Sequence, residues 1–335
     1  MIVVTGGTGL VGSHLLYELT LGGNKVRALR RESSDIGFVL QIFKYYTVDA
    51  EILFNQIEWI EGDIQDPVSL DDAINEGDVV YHAAALVSFA PGKKREIFKN
   101  NISGTANIVN TCLKKKVVKL CYVSSVAALG SSEDGLPVTE NLIWSPSKKH
   151  SNYSISKFHS EMEVWRGAEE GLNVVIVNPS IILGPGNWAS GSSALFYKIY
   201  KGLKFYTPGV TGYVDVRDLV KVMVQLMKSN ISSERFILNA ENCSFEQIFK
   251  NISRELKKPA PKYKLKKWLG AFAWRFEYIR SKMLSKQPLI TKETMNAAFN
   301  NSFYSSNKVK EKLNFSFIPI EQSIKDICKI FLANH

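Results

Sequence analysis

The first twelve residues constrain the fold more than any other stretch of the chain. They read Met1-Ile-Val-Val-Thr-Gly-Gly-Thr-Gly-Leu-Val-Gly12, a short apolar run that ends in three spaced glycines, and a helical apolar pattern follows from Ser13 to Leu19. Gly6 permits a sharp turn, Gly9 lets the backbone approach a pyrophosphate, and Gly12 lets the helix pack on the strand. Because the first N–H groups of such a helix point at the phosphates, the stretch predicts a nucleotide-binding site.

Strand and helix patterns alternate through the first half of the chain. Apolar runs occur at 25–29, 57–60, 78–82, 117–123 and 173–177, and helical stretches at 96–116 and 153–171 lie between them. Apolar strands separated by amphipathic helices predict an α/β fold with a doubly wound parallel sheet, whose ligands bind at the carboxyl ends of the strands. The segment 34–55 is longer than a simple crossover, and its aromatic run at 43–46 is expected to form a helix packed on the sheet.

Composition is typical of a globular protein, with 45% hydrophobic and 22% charged residues in a chain of 335. The four cysteines have neither metal-ligand nor disulfide-framework spacing, so we expect buried free thiols and no metal site. Met1 opens directly into the first strand, and no apolar run reaches the length of a membrane span. These features favour the cytoplasm.

The formal net charge of +10 is concentrated at the C-terminal end of the chain. Residues 251–335 contain 17 of the 42 lysines and arginines but only 6 of the 32 acidic residues, with a basic stretch from Lys257 to Lys286. Because the excess is absent from the rest of the chain, it does not indicate nucleic-acid binding. Three interpretations stay open for this stretch: a solvated surface, the entrance for an anionic substrate, or a contact with a membrane surface.

Two positions after predicted strands bear on the nucleotide. Arg30 and Arg31 stand where a site selective for a free ribose 2′-hydroxyl usually carries an acid, and a guanidinium suits a 2′-phosphate. This favours NADP over NAD, the alternative being two solvated arginines. Asp63 precedes Ile64 after the third strand, where its carboxylate can accept a hydrogen bond from an adenine amino group or can cap a helix.

Small residues and polar groups end the next two strands. The run His82-Ala83-Ala84-Ala85 lets the sheet edge lie against a cofactor, and His82 itself is expected to be a packed strand residue. Asn101, at the start of a long helix, is expected only to support neighbouring loops. Ser124 and Ser125 end the fifth strand, about thirty residues before the run Tyr153-Ser-Ile-Ser-Lys157.

Tyrosine and lysine four residues apart share one face of a helix. A free phenol has a pKa near ~10 and exchanges protons poorly at neutral pH. A close ammonium, aided by oxidised nicotinamide, favours the phenolate and lowers that pKa. The spacing of Tyr153 and Lys157 therefore indicates proton transfer at this helix.

Taken together, these motifs resemble the extended short-chain dehydrogenase/reductases, which include sugar-nucleotide epimerases and dihydroflavonol-reductase-like enzymes. The resemblance covers nearly the whole chain and includes the run 178–184. It implies that Ser125 holds the substrate oxygen, that Tyr153 is the acid/base, and that Lys157 binds the nicotinamide ribose. It also implies cofactor contacts from Gly6, Thr8, Gly9, Leu10, Val11, Gly12, Arg30, Arg31, Asp63, Ile64, Ala83, Ala84, Ala85, Tyr153, Lys157, Pro179, Ile181 and Ile182.

The same resemblance implies a division of the chain into domains. Residues 1–178 would form the NADP-binding Rossmann domain, to which 211–240 return. Residues 179–210 and 241–335 would form a smaller, mostly helical domain that shapes the pocket for a small-molecule substrate. Dimerisation of identical chains through the helices 96–116 and 153–171 is a further expectation from the family.

Three classes of function remain at this point. The first is an NADP-dependent oxidoreductase that reduces a carbonyl or oxidises a secondary alcohol, and the second is a nucleotide-sugar epimerase with a tightly bound NAD(P). The third, a redox sensor without activity, is disfavoured because Ser125, Tyr153 and Lys157 are all present. Family dehydratases carry an acidic pair after the serine strand, whereas this chain reads Ser-Ser-Val.

Overall fold

The structure is a computed structural model that describes residues 1–90, 92–130, 135–147, 150–269, 274–275 and 291–335. Its strands, numbered along the chain, are β1 Ile2–Thr5, β2 Val26–Arg30, β3 Ile57–Glu61, β4 Val79–His82, β5 Lys119–Val123, β6 Val174–Pro179, β7 Ile181–Leu183, β8 Phe205–Tyr206, β9 Val210–Asp215, β10 Glu234–Leu238, β11 Glu241–Ser244 and β12 Tyr263–Lys264.

The helices lie between these strands and after them. They are α1 Leu10–Leu21, α2 Ile36–Lys44, α3 Ala50–Phe54, α4 Pro67–Ala73, α5 Lys94–Phe98, α6 Gly104–Lys114, α7 Asn152–Glu169, α8 Ala194–Tyr200, α9 Val216–Lys228, α10 Phe245–Glu255, α11 Lys292–Phe299, α12 Asn307–Leu313 and α13 Ile320–Ala333. One π-helical turn, Lys99–Ser103, joins α5 to α6.

The central sheet has the strand order β10-β6-β5-β4-β1-β2-β3, and every neighbouring pair is parallel. Thr5 at the end of β1 pairs with Leu29 on one side and His82 on the other. The carboxyl ends of β1, β2 and β4 therefore meet at one edge of the sheet, which is where the sequence predicts the ligand.

Apolar residues cover both faces of this sheet. One face packs against α1, α2, α3, α9 and α12, and the other packs against α4, α6 and α7. Alternate strand residues belong to opposite cores, as Val3 and Val4 do in β1. The α/β, doubly wound architecture predicted from the sequence is therefore confirmed, as is the helical character of the C-terminal region.

A separate apolar core lies among the later elements. It contains residues of α8, β9, α10 and α13, and the short sheet β11-β9-β7 runs beside it. Ser244 begins α10 by accepting a hydrogen bond from the Gln247 amide at 3.1 Å. β10 adds to the central sheet beside β6. The division into two domains at the predicted boundaries stays a prediction.

Several smaller expectations can be compared with the structure. The segment 34–55 forms α2 and α3, and Phe43 packs edge-on against Tyr17 of α1 with ring centroids 5.3 Å apart. All four cysteines are buried and free. Across the described ranges, no helix is both long enough and apolar enough to cross a lipid bilayer.

The predicted basic stretch 257–286 falls only partly within the described residues. Its lysines from Lys257 to Lys267 are exposed. Positions 270–273 and 276–286 lie outside the described residues, so the three interpretations of this stretch stay open.

The junction of β1 and α1 yields a stability prediction. A Cβ at Gly12 would lie 2.1 Å from the Gly6 carbonyl oxygen, whereas a Cβ at Gly9 would meet the same oxygen at 3.4 Å, an ordinary contact. Gly12→Ala should therefore lower the free energy of unfolding by about 1–3 kcal/mol through overpacking, and Gly9→Ala, the control, by less than about 0.5 kcal/mol. Thermal and denaturant unfolding measure both. Equal stabilities would contradict the steric account.

Candidate active site

The glycine loop between β1 and α1 has the geometry that the sequence predicts. Gly6 has a positive φ of 73°, and a Cβ there would lie 2.5 Å from the Ala84 amide nitrogen. Only glycine allows the loop to pass this close to the end of β4. Helix α1 starts at Leu10 with no side chain capping it. Its first N–H groups are therefore available to an anion at the loop.

A cavity of about 300 Å³ opens where β1, β2, β3 and β4 end. Its wall includes residues predicted from four separate stretches of the sequence: Gly6, Thr8, Gly9, Arg30, Arg31, Asp63, Ile64, Ala83, Ala84 and Ala85. Leu10, Val11 and Gly12 form the first turn of the adjoining helix. The fold thus brings most of the predicted cofactor residues to one place.

Arg30, the last residue of β2, and Arg31, which follows it, lie in the cavity wall. Arg30 is half-buried and Arg31 is exposed. In the part of the chain that the structure describes, neither guanidinium forms an ion pair with a carboxylate. Both are therefore free to bind an external anion at this cavity.

Asp63 faces the same cavity from the end of β3. Its carboxylate accepts a hydrogen bond from the Gln65 amide at 2.9 Å, and its own amide donates to Ser69 Oγ at 3.1 Å. Helix α4 is capped by the separate residue Asp66, through the Val68 amide. Asp66, and not Asp63, is therefore the residue that caps α4. The contact of Asp63 with adenine stays a prediction.

A second group of predicted residues lies where β5 ends against α7. Ser125 follows β5 and has extended backbone, and its Oγ accepts a hydrogen bond from the Ala127 amide at 3.1 Å. Burial raises the pKa of the Tyr153 phenol to about 12, and hydrogen bonding with Ser125 acts in the opposite direction. The turn after Ser125 is also held against α7, because Ser154 Oγ donates to the Ala127 carbonyl at 2.5 Å. Ser125 and Tyr153, 28 positions apart in the sequence, therefore lie close together.

Lys157 lies one helical turn after Tyr153 and is almost fully buried. Its ammonium donates to Tyr122 Oη and to the Val123 carbonyl, both at 2.8 Å, and lies 4.5 Å from the centre of the Tyr122 ring. Burial lowers the pKa of Lys157 to about 7, while the Glu161 carboxylate raises it. The spacing of Tyr153 and Lys157 predicted the ammonium near Tyr153 but did not indicate Tyr122 as a partner.

Two more residues of this region were not identified from the sequence. Glu161 is buried and accepts a hydrogen bond from Ser124 Oγ at 2.6 Å. Asn178, at the end of β6, donates to Glu161 at 2.8 Å and to the Ser125 carbonyl at 3.1 Å. The signal for Glu161 was present in the spacing, because positions 153, 157 and 161 share one helix face. Tyr122 and Asn178 depend on strand pairing that no local pattern encodes.

Asn101 holds the loop after β4 against α7. Its Oδ1 accepts from the Leu86 amide at 2.7 Å, and its Nδ2 donates to the Leu86 carbonyl and to Ser156 Oγ, both at 3.0 Å. The residue lies in the π-helical turn Lys99–Ser103 and is buried. This is the supporting position that the sequence analysis expected for it.

His82 is packed inside the sheet edge. Its ring nitrogens lie 2.7 Å from Thr5 Oγ1 and 3.0 Å from Thr105 Oγ1. Burial lowers its pKa to about 3, and the positive charge of Lys157 acts in the same direction. The imidazole is therefore neutral at physiological pH, in agreement with a packed strand residue.

The remaining predicted cofactor residues lie beyond the end of β6. Pro179 ends that strand, and Ile181 and Ile182 belong to β7. Because β6 pairs with β5, with Val177 opposite Val123, these residues follow the strand that neighbours Ser125. They belong to the Ser125 side of the site and not to the wall of the 300 Å³ cavity. Their contact with a cofactor stays a prediction.

The residues present fit a dinucleotide. At Gly9 the space that a Cβ would fill is open apart from one ordinary contact, so the backbone can approach a pyrophosphate. The cavity at Arg30 and Asp63 can take the adenosine end, and the Ser125 group lies further along the same sheet edge. Across the described ranges, no three His, Cys, Asp or Glu side chains converge on a metal-binding geometry.

Comparison with known proteins identifies relatives over most of the chain. A sequence model of the NAD dependent epimerase/dehydratase family matches residues 2–239. A protein of Synechocystis sp. with the name "Putative dihydroflavonol 4-reductase" is 30% identical, over 99% of this chain and 94% of its own. The dihydroflavonol 4-reductase of Arabidopsis thaliana is 26% identical, over 99% and 87%. The crystal structure of gox2253 superposes with a TM-score of 0.81 at 28% identity, over 100% and 98% of the two chains.

The half-buried phenol of Tyr153 gives a spectroscopic prediction. An ordinary tyrosine is half ionised near pH ~10, but burial raises the pKa of Tyr153 to about 12. The absorbance difference between unaltered protein and Tyr153→Phe, both without cofactor, should therefore show no tyrosinate at pH 10. Tyr197→Phe, which removes a partly exposed phenol, is the control. A half-ionised Tyr153 at pH 10 would contradict the burial argument.

Proposed function

This chain belongs to the NAD dependent epimerase/dehydratase family, and we propose that within this family it is an NADP-dependent oxidoreductase that reduces a carbonyl compound. The family resemblance of its motifs is thereby confirmed, and the chain is an enzyme of an NAD(P)-dependent family. Beyond family membership, we propose that the reaction is a reduction, that the cofactor is NADP, and that Ser125, Tyr153 and Lys157 have the roles given below.

The observation that carries the proposal is the placement of Ser125 and Tyr153 where β5 ends against α7, beside the buried ammonium of Lys157. A hydroxyl and a phenol side by side can hold one carbonyl oxygen and give it a proton. The two curated relatives reported above are both named as reductases, which supports a carbonyl substrate. The site therefore has the groups that carbonyl reduction needs from the protein.

Each residue has a distinct task in this proposal. Bound NADPH supplies the hydride. Ser125 fixes the substrate oxygen by a hydrogen bond, and Tyr153 transfers its proton to that oxygen as negative charge develops there. Lys157 binds the nicotinamide ribose and, as a cation, favours the phenolate that remains on Tyr153. Because burial raises the pKa of Tyr153, the phenol is protonated at neutral pH before reduction begins.

The adenosine half would be held by the cavity at the ends of β1 to β4. Arg30 and Arg31 would bind the 2′-phosphate, and Asp63 would accept a hydrogen bond from the adenine amino group. The small side chains of Ala83, Ala84 and Ala85 leave room for the dinucleotide against the sheet edge. The glycine loop and the start of α1 would face the pyrophosphate.

A nucleotide-sugar epimerase is the second candidate, and the name of the family itself keeps it in view. An epimerase uses the same three residues but regenerates its cofactor in every turnover. Arg30 and Arg31 favour the reductase, because an exchangeable NADPH is selected by its 2′-phosphate. The run Ser124-Ser125-Val126 lacks the acidic pair that family dehydratases carry, which disfavours dehydration.

One assay separates these candidates. Purified protein is incubated with NADPH and a panel of ketones, aldehydes and nucleotide sugars, and both cofactor and product are followed. Net NADPH oxidation in equal amount to alcohol formed supports the reductase. Sugar interconversion without NADPH oxidation would replace it by the epimerase.

Cofactor preference provides a test of Arg30. The unaltered protein should bind NADPH more tightly than NADH, because the guanidinium pairs with the 2′-phosphate. Arg30→Asp should reduce that preference by about 10-fold or more, because a hydrogen bond to a charged group usually contributes that much to the affinity. Fluorescence titration measures both dissociation constants. Arg95→Asp has the same charge change on an exposed residue outside the cavity and should leave the ratio intact. Equal affinities in the unaltered protein would contradict the assignment.

Removal of the phenol tests the acid. Tyr153→Phe should lower kcat by about 10²–10⁴-fold, the usual contribution of general acid catalysis. The affinity for NADPH should change little, since the phenol contributes little to holding the dinucleotide. Steady-state kinetics on the substrate found in the panel, together with NADPH titration, measure the two effects. A near-normal kcat would mean that another group transfers the proton and that Tyr153 is not the acid.

A further inference from the structure

Glu161 is a buried carboxylate that the proposed chemistry does not use. It lies on α7 one turn after Lys157 and is 2% exposed. One oxygen accepts hydrogen bonds from Ser124 Oγ at 2.6 Å and Asn178 Nδ2 at 2.8 Å. The other accepts from Arg235 Nη1 at 3.1 Å and Trp165 Nε1 at 3.4 Å. Both oxygens are therefore fully engaged.

The contacts of Glu161 and Lys157 converge on the end of β5. Lys157 binds the Tyr122 side chain and the Val123 carbonyl. Glu161 binds the next side chain, Ser124, and holds Asn178, which donates to the Ser125 carbonyl at 3.1 Å. Successive residues of this strand end are thus fixed to one face of α7, up to the residue proposed to hold the substrate oxygen.

Glu161 also supplies a negative charge next to the buried ammonium. The groups that face Lys157 from other elements are Tyr122 of β5 and His82 of β4, and burial keeps both neutral at physiological pH. Tyr153 and Glu161 face it from its own helix. Glu161 is the group that raises the pKa of Lys157 against the effect of burial. Arg235, paired with Glu161, is the nearby countercharge, and it also binds the Glu140 and Leu142 carbonyls.

Burying a charge costs free energy of folding unless the charge has a partner. A well-packed neutral residue at the same position often gives an equally stable protein. We propose that Glu161 is a positioning residue, which fixes the Ser125 end of β5 and places a negative charge one helical turn from the Lys157 ammonium that binds the cofactor ribose. This inference rests on the proposed function, because it needs Lys157 to bind the dinucleotide. It assigns Glu161 no contact with substrate or cofactor.

The charge effect has a definite sign. Lys157 binds a ribose best as an ammonium, so the affinity for NADPH should fall as pH rises through the pKa of Lys157, about 7 in the free protein. Without the Glu161 charge that pKa is lower, and the loss of affinity should begin at lower pH. The 2′-phosphate gains its second charge near pH ~6 and affects all variants alike.

The experiment is an NADPH fluorescence titration from pH 5.5 to about 9 on a set of variants. Glu161→Gln should move the midpoint of the affinity loss by about 1 pH unit toward acid. At a pH above the midpoint, this shift corresponds to an affinity for NADPH that is about 10-fold weaker. Glu163→Gln removes the same charge from the solvent side of α7, where Glu163 pairs with Arg166, and should leave the midpoint in place. Ser124→Ala removes one hydrogen bond, keeps the charge, and should also leave it in place.

The positioning of Ser125 has its own readout. With a substrate from the panel, Glu161→Gln should lower kcat by at least about 10-fold. The KM for NADPH should change less at about pH 5.5, where Lys157 is mostly protonated in both proteins. Ser124→Ala should lower kcat in the same direction. A purely structural role would lower the unfolding temperature but would leave the pH midpoint and kcat unchanged.

If Glu161→Gln alone fails to fold, the double variant Glu161→Gln/Arg235→Met removes both partners and avoids an unpaired guanidinium. A shift toward acid is again expected, but a smaller one, because the positive charge of Arg235 is removed as well. Failure of the unaltered protein to bind NADPH would overturn the proposed function itself. Binding with an unchanged midpoint in Glu161→Gln, or an equal shift in Ser124→Ala, would overturn this inference and leave the proposed function standing.

Discussion

The close approach of α1 to β1 at Gly12 is the contact on which the cofactor site depends. A Cβ at that position would lie 2.1 Å from the Gly6 carbonyl oxygen, so any larger residue would push the helix away. With the helix in place, its first N–H groups point over the end of β1, which lies at the centre of the sheet edge between β2 and β4. Arg30, Asp63 and Ala83 reach the same cavity because their strands are parallel neighbours.

A second constraint joins the chemistry to this frame. The end of β5 is fixed to α7 by two buried charges of opposite sign, Lys157 and Glu161, through Tyr122, Val123 and Ser124. Charges buried in this way need several hydrogen bonds each, and the structure provides them. As a consequence, Ser125 and Tyr153 lie close together where β5, the neighbour of β4 in the sheet, ends against α7.

Local patterns in the sequence predicted much of this arrangement. The glycine spacing, the alternation of strands and helices, and the Tyr153–Lys157 spacing each depend on neighbours in sequence, and the α/β fold follows from them. Tyr122 and Asn178 could not be predicted as partners, because their contacts depend on which strands pair and which face each side chain takes. Glu161 could have been found, since it lies four residues after Lys157 on the same helix face.

In the proposed function, one sheet edge holds the 2′-phosphate of NADP at Arg30 and its reacting ring at Tyr153. A crystal structure of the protein with bound NADP⁺ measures both positions at once. We expect a 2′-phosphate oxygen within about 3 Å of the Arg30 guanidinium and the ribose hydroxyls within the same distance of Lys157 Nζ. NADP⁺ bound with its nicotinamide away from Ser125 and Tyr153 would contradict the account.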